Sequence, residues 1–264
     1  MEGPATVYFA GTAGAGKTHL VKAFGAWLKS AGYDPIVVNL DPGNETTELQ
    51  PDIDIREWVR LDEVMDEYSL GPNGAQVAAS DMIALKVFDV RQAVSELKAD
   101  YVLVDTPGQV ELFAFRESSK AIVDALSGDR SAIAFLFDPS LARSASGFVS
   151  LLMLSATVEF RFRLPLVNVL SKADILTPEQ VEEIVGWGDD SERLLEAVTR
   201  ESPTPDVQLS AEVLRAVSAL SPVGNLLPTS VEDQRGLEAL YHSLQLSFAG
   251  GDDLEASHAP PEGN

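Results

Sequence analysis

The stretch Gly11-Thr12-Ala13-Gly14-Ala15-Gly16-Lys17-Thr18 fits the pattern G-x-x-x-x-G-K-[ST], and its surroundings decide how it is read. The run Thr6, Val7, Tyr8, Phe9, Ala10 before it is apolar, and residues 19–30 after it carry helical spacing. The order is therefore strand, phosphate loop, helix. Glycines let backbone N–H groups turn inward toward a pyrophosphate, and the helix N-terminus adds partial positive charge. On this reading Gly11, Ala13, Gly14, Ala15 and Gly16 cradle phosphate, Lys17 reaches the β- and γ-phosphates, and the Thr18 hydroxyl ligates Mg²⁺. A glycine-rich turn without a ligand is the alternative, and the flanking strand and helix speak against it.

Working outward, residues 35–40 read as a second buried strand that delivers Asp41 to the same rim, where open parallel sheets bind their ligands. Asp41 either orients a water there or opens the Asp41-Pro42-Gly43 turn. A polar segment holding Asp52-Ile53-Asp54-Ile55-Arg56-Glu57 follows, then a short acidic helix over 61–68. Gly71-Pro72-Asn73-Gly74 reads, taken alone, as a tight turn before one long helix over 77–97. The all-apolar strand 101–104 suits a sheet covered on both faces and ends in Asp105-Thr106-Pro107-Gly108-Gln109. Asp105 stands where a partner of the phosphate-site Mg²⁺ belongs, and the Gly108 amide where a γ-phosphate is sensed. Gln109 and Glu111 either hold the attacking water or simply start a helix.

A strand over 132–137 leads to Asp138-Pro139-Ser140, and the helix 144–160 carries an apolar stripe best explained as core. The strand 165–170 ends in Ser171-Lys172-Ala173-Asp174. An aspartate at Asp174 can accept two hydrogen bonds from the guanine N1–H and exocyclic amine, a donor pair adenine does not offer, while the Lys172 stem packs along the base. Thr177 caps a helix whose first turn holds Pro178. The last strand and loop, 226–230, resemble the place where G proteins use a backbone amide on the guanine oxygen, which implies that role for Ser230, and a closing helix spans 236–248. The expected organisation is a single phosphate-loop NTPase domain over 1–248, an α/β/α sandwich on a mostly parallel sheet. It carries a helical insertion at 178–222 and an acidic, disordered tail at 249–264.

Composition limits the function. The chain has 264 residues, 45% of them hydrophobic, enough for a full core. No apolar run approaches the length of a bilayer span and Met1-Glu2-Gly3-Pro4 lacks a signal-peptide layout, so a soluble, cytoplasmic protein is expected. Cysteine is absent, which excludes disulfides and thiolate metal sites. A net charge of −22 argues against direct nucleic-acid binding and is compatible with a high-salt cytoplasm.

Together the motifs resemble the GPN-loop GTPases, in the manner of a prokaryotic, archaeal-type member. The phosphate loop, the N-L-D-P after strand two, D-I-D-I-R-E, L-G-P-N-G-A, D-T-P-G-Q-V-E and S-K-A-D occur in that family's order over about 6–240. The resemblance implies a SIMIBI-type GTPase fold, GTP hydrolysis to GDP with Mg²⁺ and no arginine finger, and a homodimer. In that dimer the Gly71-Pro72-Asn73 loop of each subunit enters the other's site, which gives Asn73 a catalytic role. The family's eukaryotic members assist RNA polymerase assembly, a role that transfers poorly without a nuclear context. Ser171 departs from the asparagine usual in G proteins, and its shorter side chain weakens the expected bridge from base site to phosphate loop. A small-molecule kinase and a metallochaperone GTPase are the rival readings, with a non-hydrolysing scaffold as a third. The first leaves Ser171 to Asp174 unexplained, and the second needs the His- or Cys-rich site this chain lacks.

Overall fold

A computed structural model describes residues 3–43, 50–201 and 226–248, with Glu212. Seven parallel strands form one sheet: β1 (Ala5–Gly11), β2 (Pro35–Asn39), β3 (Ile53–Asp54), β4 (Tyr101–Asp105), β5 (Ser131–Phe137), β6 (Leu166–Leu170) and β7 (Leu227–Pro228). Their spatial order is β3-β2-β4-β1-β5-β6-β7. Register aligns the strand ends, with Phe9 and Asn39 both opposite Asp105 and Phe137 opposite Leu170. The loops after β1, β2, β4, β5, β6 and β7 thus gather on one rim, the crevice of an open α/β sheet.

Alternation along the strands splits the core in two. Val7 and Phe9 of β1 pack with Leu20, Phe24 and Leu28 of α1 (Lys17–Ser30) and with Leu237 and Leu240 of the closing helix (Leu237–Phe248). Tyr8 and Ala10 face the opposite layer. That layer holds α2 (Leu61–Tyr68), α3 (Pro72–Leu85), α4 (Val87–Glu96), α5 (Val110–Phe115), α6 (Glu117–Leu126), α7 (Pro139–Ala142), α8 (Ala145–Phe162), α9 (Pro178–Asp189) and α10 (Ser191–Arg200). The result is the three-layer α/β sandwich of a phosphate-loop NTPase.

Several elements differ from the sequence reading. The Gly-Pro-Asn-Gly segment is no free-standing turn: Gly71 is the N-cap of α3 and Pro72 its first residue. Proline fits there because its fixed φ suits a helix and its missing N–H would find no partner in the first turn. The single helix over 77–97 is two, parted at Lys86, whose N–H bonds to the Ile83 carbonyl in a tightened 3₁₀-like turn. Strand β3 was unforeseen: it is two residues long, and Asp52 secures its entry by accepting from the Val37 N–H at 2.8 Å. Helix α8 is long and apolar enough to cross a membrane by length and composition, contrary to expectation, yet its Phe148, Leu151 and Val158 are buried as core. Of the expected insertion, α9 and α10 bury Ile184, Trp187, Leu194 and Val198 in the main core. Its remainder, with Pro203 and Pro205, and the tail 249–264 lie outside the described residues.

Candidate functional site

The phosphate loop follows β1 with Gly11 at φ 152°, Gly14 at 77° and Gly16 at 90°. At Gly11 a side chain is doubly excluded, since a Cβ there would sit 2.8 Å from the Leu136 carbonyl oxygen of β5. Gly16 is the left-handed N-cap of α1 and makes no side-chain cap, so the helix presents its first N–H groups to the loop's interior. Among the described residues the amides of Ala13, Gly14, Gly16, Lys17 and Thr18 have no acceptor; Ala15, fully buried, turns its own N–H onto the Thr12 carbonyl at 3.2 Å.

Lys17 is buried and donates to the carbonyls of Gly11 and Thr12, both at 3.0 Å, and of Gly108 at 3.1 Å. One ammonium thereby ties the loop after β1 to the loop after β4. Desolvation pulls its pKa below the usual lysine value, and the carboxylates of Asp105 and Asp41 oppose that shift. The Thr18 hydroxyl donates to Asp105 Oδ2 at 2.7 Å. The other oxygen, Asp105 Oδ1, is buried with no hydrogen-bond partner among the described residues. Burial pushes the Asp105 carboxyl up to about 6, against the pull of Thr18 and Lys17. An orphaned buried carboxylate oxygen beside a threonine hydroxyl fits the oxygen-donor chemistry of Mg²⁺.

Asp41 opens the turn and also reaches the loop after β4. Its Oδ1 accepts from the Gly43 N–H at 2.9 Å, closing the turn, and its Oδ2 accepts from the Gly108 N–H at 2.8 Å. The Gly108 amide is thus held by Asp41, and a phosphate must compete with that carboxylate for it. Asn39, missed in the sequence reading, anchors the arrangement. Its Oδ1 accepts from the Asp41 N–H at 3.0 Å, while its Nδ2 donates to Asp54 Oδ1 at 3.0 Å and to the Asp41 carbonyl at 3.3 Å. Asp54 is in turn gripped by Arg56 Nε at 2.9 Å to each oxygen. Thr106 pins the β4 loop by donating to the Phe9 carbonyl at 2.7 Å. Gln109 is the N-cap of α5 and half-buried; Glu111 is exposed in its first turn. Asn73 is exposed in the first turn of α3.

On the other side of the loop, Ser171 donates to the Phe137 carbonyl at 3.1 Å and reaches no part of the phosphate loop. The bridge is made by Lys172. This residue is left-handed at φ 50°, lays its stem against Gly16, and donates to the Gly14 carbonyl and, at 2.8 Å, to Asp138 Oδ2. Asp138, which follows β5 and caps α7, was not singled out by sequence. Burial raises its pKa most, but the bonds from Lys172 and Ser140 together with the Lys172 charge outweigh this and hold the carboxyl below the usual value. Asp174 is exposed on the following turn, and its carboxylate has no hydrogen-bond partner among the described residues. The expected use of the Ser230 amide needs correcting: Ser230 is fully buried and its N–H is spent on the Arg235 carbonyl at 3.1 Å. The next N–H groups along, those of Val231 and Glu232, have no acceptor among the described residues.

Comparison with known proteins follows the same lines. A family model described as a conserved hypothetical ATP binding protein matches residues 9–249. Among named relatives, GPN-loop GTPase PAB0955 of Pyrococcus abyssi is 30% identical over 236 residues, covering 89% of this chain and 93% of that protein. GPN-loop GTPase 1 of Schizosaccharomyces pombe is 33% identical over 202 residues, covering 75% of this chain; the chain spans 54% of that longer relative. The crystal structure of PAB0955, described as a GTPase in apo form, superposes with a TM-score of 0.82 at 28% identity, over 92% of this chain and 97% of that one. With the motif order, the sheet and the full-length relatives in agreement, the chain belongs to the GPN-loop GTPase family.

Proposed function

We propose that this protein is a Mg²⁺-dependent GTPase that works as a homodimeric nucleotide switch. The observation that carries the reading is the convergence of three strand ends on one point: Lys17 to Gly108, Thr18 to Asp105 and Gly108 to Asp41, all within 3.1 Å. Gly11 to Thr18 cradle the phosphates. Thr18 and Asp105 would hold Mg²⁺, directly or through water, and the ion would supply neutralisation of phosphate charge there. Asp41, Gln109 and Glu111 place the water that attacks the γ-phosphorus as the bond to GDP breaks. Positioning and charge stabilisation are the main demands of such a reaction. Lys172 and Asp174 read guanine, with the Ser171 and Ser230 backbone shaping the pocket.

Asn73 of the partner subunit completes the site. Its own helix supports this role: Asn73, Val77, Asp81 and Leu85 form one i, i+4 line along α3. Val77 and Leu85 are exposed on that line, with Phe115 nearby, pinned there by the Arg116–Asp81 ion pair. By family resemblance the switch serves assembly of a larger complex such as RNA polymerase.

Phosphate release with GTP and ATP, with Mg²⁺ or EDTA, tests the reading. GTP turnover that EDTA abolishes is expected, with ATP at least about tenfold poorer. Asp174→Asn removes one charge-assisted bond to guanine, so GTP affinity falls about tenfold or more. Turnover of ATP equal to that of GTP removes the guanine preference, in line with the ATP binding named in its family-model description, and undiminished GTP binding by Asp174→Asn removes Asp174 as the base-reading residue. Light scattering with a non-hydrolysable GTP analogue reads the dimer; lone subunits under every nucleotide remove the Asn73 role.

A further inference from the structure

At the amino-terminal edge of the sheet, opposite the nucleotide rim, lies a cavity of about 530 Å³. Val94 of α4, Leu126 of α6 and the ring of Phe248 give it an apolar wall, and Arg91, Lys98 and Arg130 surround it with three cations. The chain as a whole carries a net charge of −22. Among the described residues none of the three has a carboxylate partner, a state shared by Lys22, Lys29, Arg163 and Arg193 but not by Arg56, Arg60, Lys86, Arg116 and Lys120; these three, however, line one cavity. The Arg130 guanidinium instead lies 5.6 Å from the centre of the Phe248 ring. Thr6, only 2% exposed, also lines the cavity. Asp129 stands in the wall as well, and Asp100 shares Arg130 in an adjoining cleft; three cations still outnumber them. Such a cavity suits an anion with an apolar part.

The chain itself carries one. Phe248 stands in the wall of the cavity, and the residues that follow it in sequence, 249–264, hold Asp252, Asp253, Glu255 and Glu262 with no lysine or arginine. Leu254 sits inside that acidic run. From residue 248 to residue 254 an extended chain reaches up to about 20 Å, so a short loop-back suffices. Tethering sets the segment's effective concentration in the millimolar range. We propose that Asp252-Asp253-Leu254-Glu255 docks in this cavity of its own chain, with Leu254 against Val94 and Leu126 and the carboxylates against Arg91, Lys98, Arg130 and the Thr6 hydroxyl. This inference is independent of the nucleotide chemistry.

The absence of native cysteine makes the test direct. In the full chain, Ser95→Cys in the cavity lining is paired with Ser257→Cys, and a control pairs Ser257→Cys with Ser150→Cys on the exposed face of α8. Both helix positions lose only a hydroxyl bond to a carbonyl of their own helix. Under mild oxidation the Ser95 pair closes at least about tenfold faster than the control, as a docked tether requires. Arg91→Glu with Arg130→Glu, or about 1 M salt, removes most of that advantage. Equal rates for the two pairs, or a Ser95 rate indifferent to charge reversal and salt, overturn the proposal. An advantage abolished by an added unrelated acidic peptide at micromolar concentration overturns the assignment of the tail as occupant in favour of an external acidic partner. Circular dichroism and melting certify folding, and Arg91→Gln with Arg130→Gln replaces the reversed pair if that misfolds.

Discussion

Replacing Asn39 with alanine tests whether the buried anchor beneath Asp41 matters to chemistry or only to folding. Asn39 is 1% exposed and makes three hydrogen bonds, one of them to the Asp54 carboxylate. Losing a charge-assisted bond costs about 2 kcal/mol and the bond from the Asp41 N–H about 1 kcal/mol more, so a destabilisation of about 3 kcal/mol is expected. For a domain of this size that is a fall of about 6–12 °C in melting temperature. The functional effect follows from geometry. Asp41 spans Gly43 and the Gly108 loop, and a carboxylate displaced by about 1 Å from a reacting water lowers turnover by about a hundredfold. Phosphate release at saturating GTP, alongside a fluorescent-GTP binding titration, separates the two effects: kcat falls while affinity stays within about threefold, because the phosphate cradle and the base loop are untouched. A folded Asn39→Ala protein with turnover within about twofold of the parent would refute a positioning role and leave Asn39 a structural residue.

Other outcomes follow from the same geometry. Asp41→Ala and Gln109→Ala each slow turnover by about 10–100-fold while sparing GTP affinity; unchanged turnover in both removes their water-placing roles. For Asp54, burial raises the pKa, but the bonds from Arg56 and Asn39 outweigh it and leave the carboxyl below its ordinary 3.8. A depressed folded pKa gives stability that is present above 3.8 and lost as pH falls through the lower folded value. Asp54→Asn is therefore less stable than the parent at neutral pH, and the two melting curves converge in strong acid; a gap that does not narrow contradicts the ion-pair account. If the acidic surface is adapted to salt, the melting temperature climbs from low to molar KCl, and a flat response ends that idea.

Much of the site was legible because its motifs sit at the ends of apolar strands, and a run such as Tyr101 to Val104 announces both the strand and the rim where Asp105 must emerge. What stayed hidden depends on distant segments meeting. Asn39 looks like any polar residue at a strand end until β3 arrives beside it with Asp54. That strand is too short to leave a periodic signal, and its pairing comes from β2. Asp138 drew no role from its place after the strand 132–137; it caps α7 by accepting from the Ser140 N–H at 2.7 Å, and only the fold brings Lys172 to it. Ser230 failed for a local reason: the chain turns back on itself there, and the Arg235 carbonyl captures the amide first.

Lys172 joins two regions usually treated apart. Its ammonium group touches the Gly14 carbonyl while its stem lies against Gly16, and it stands two residues before Asp174, the proposed reader of the base. A purine that dislodges this side chain therefore also frees the carbonyl at the crown of the phosphate cradle. Discrimination between bases should then surface in the speed of bond cleavage as well as in the grip on the nucleotide, with the wrong base held by a slacker cradle.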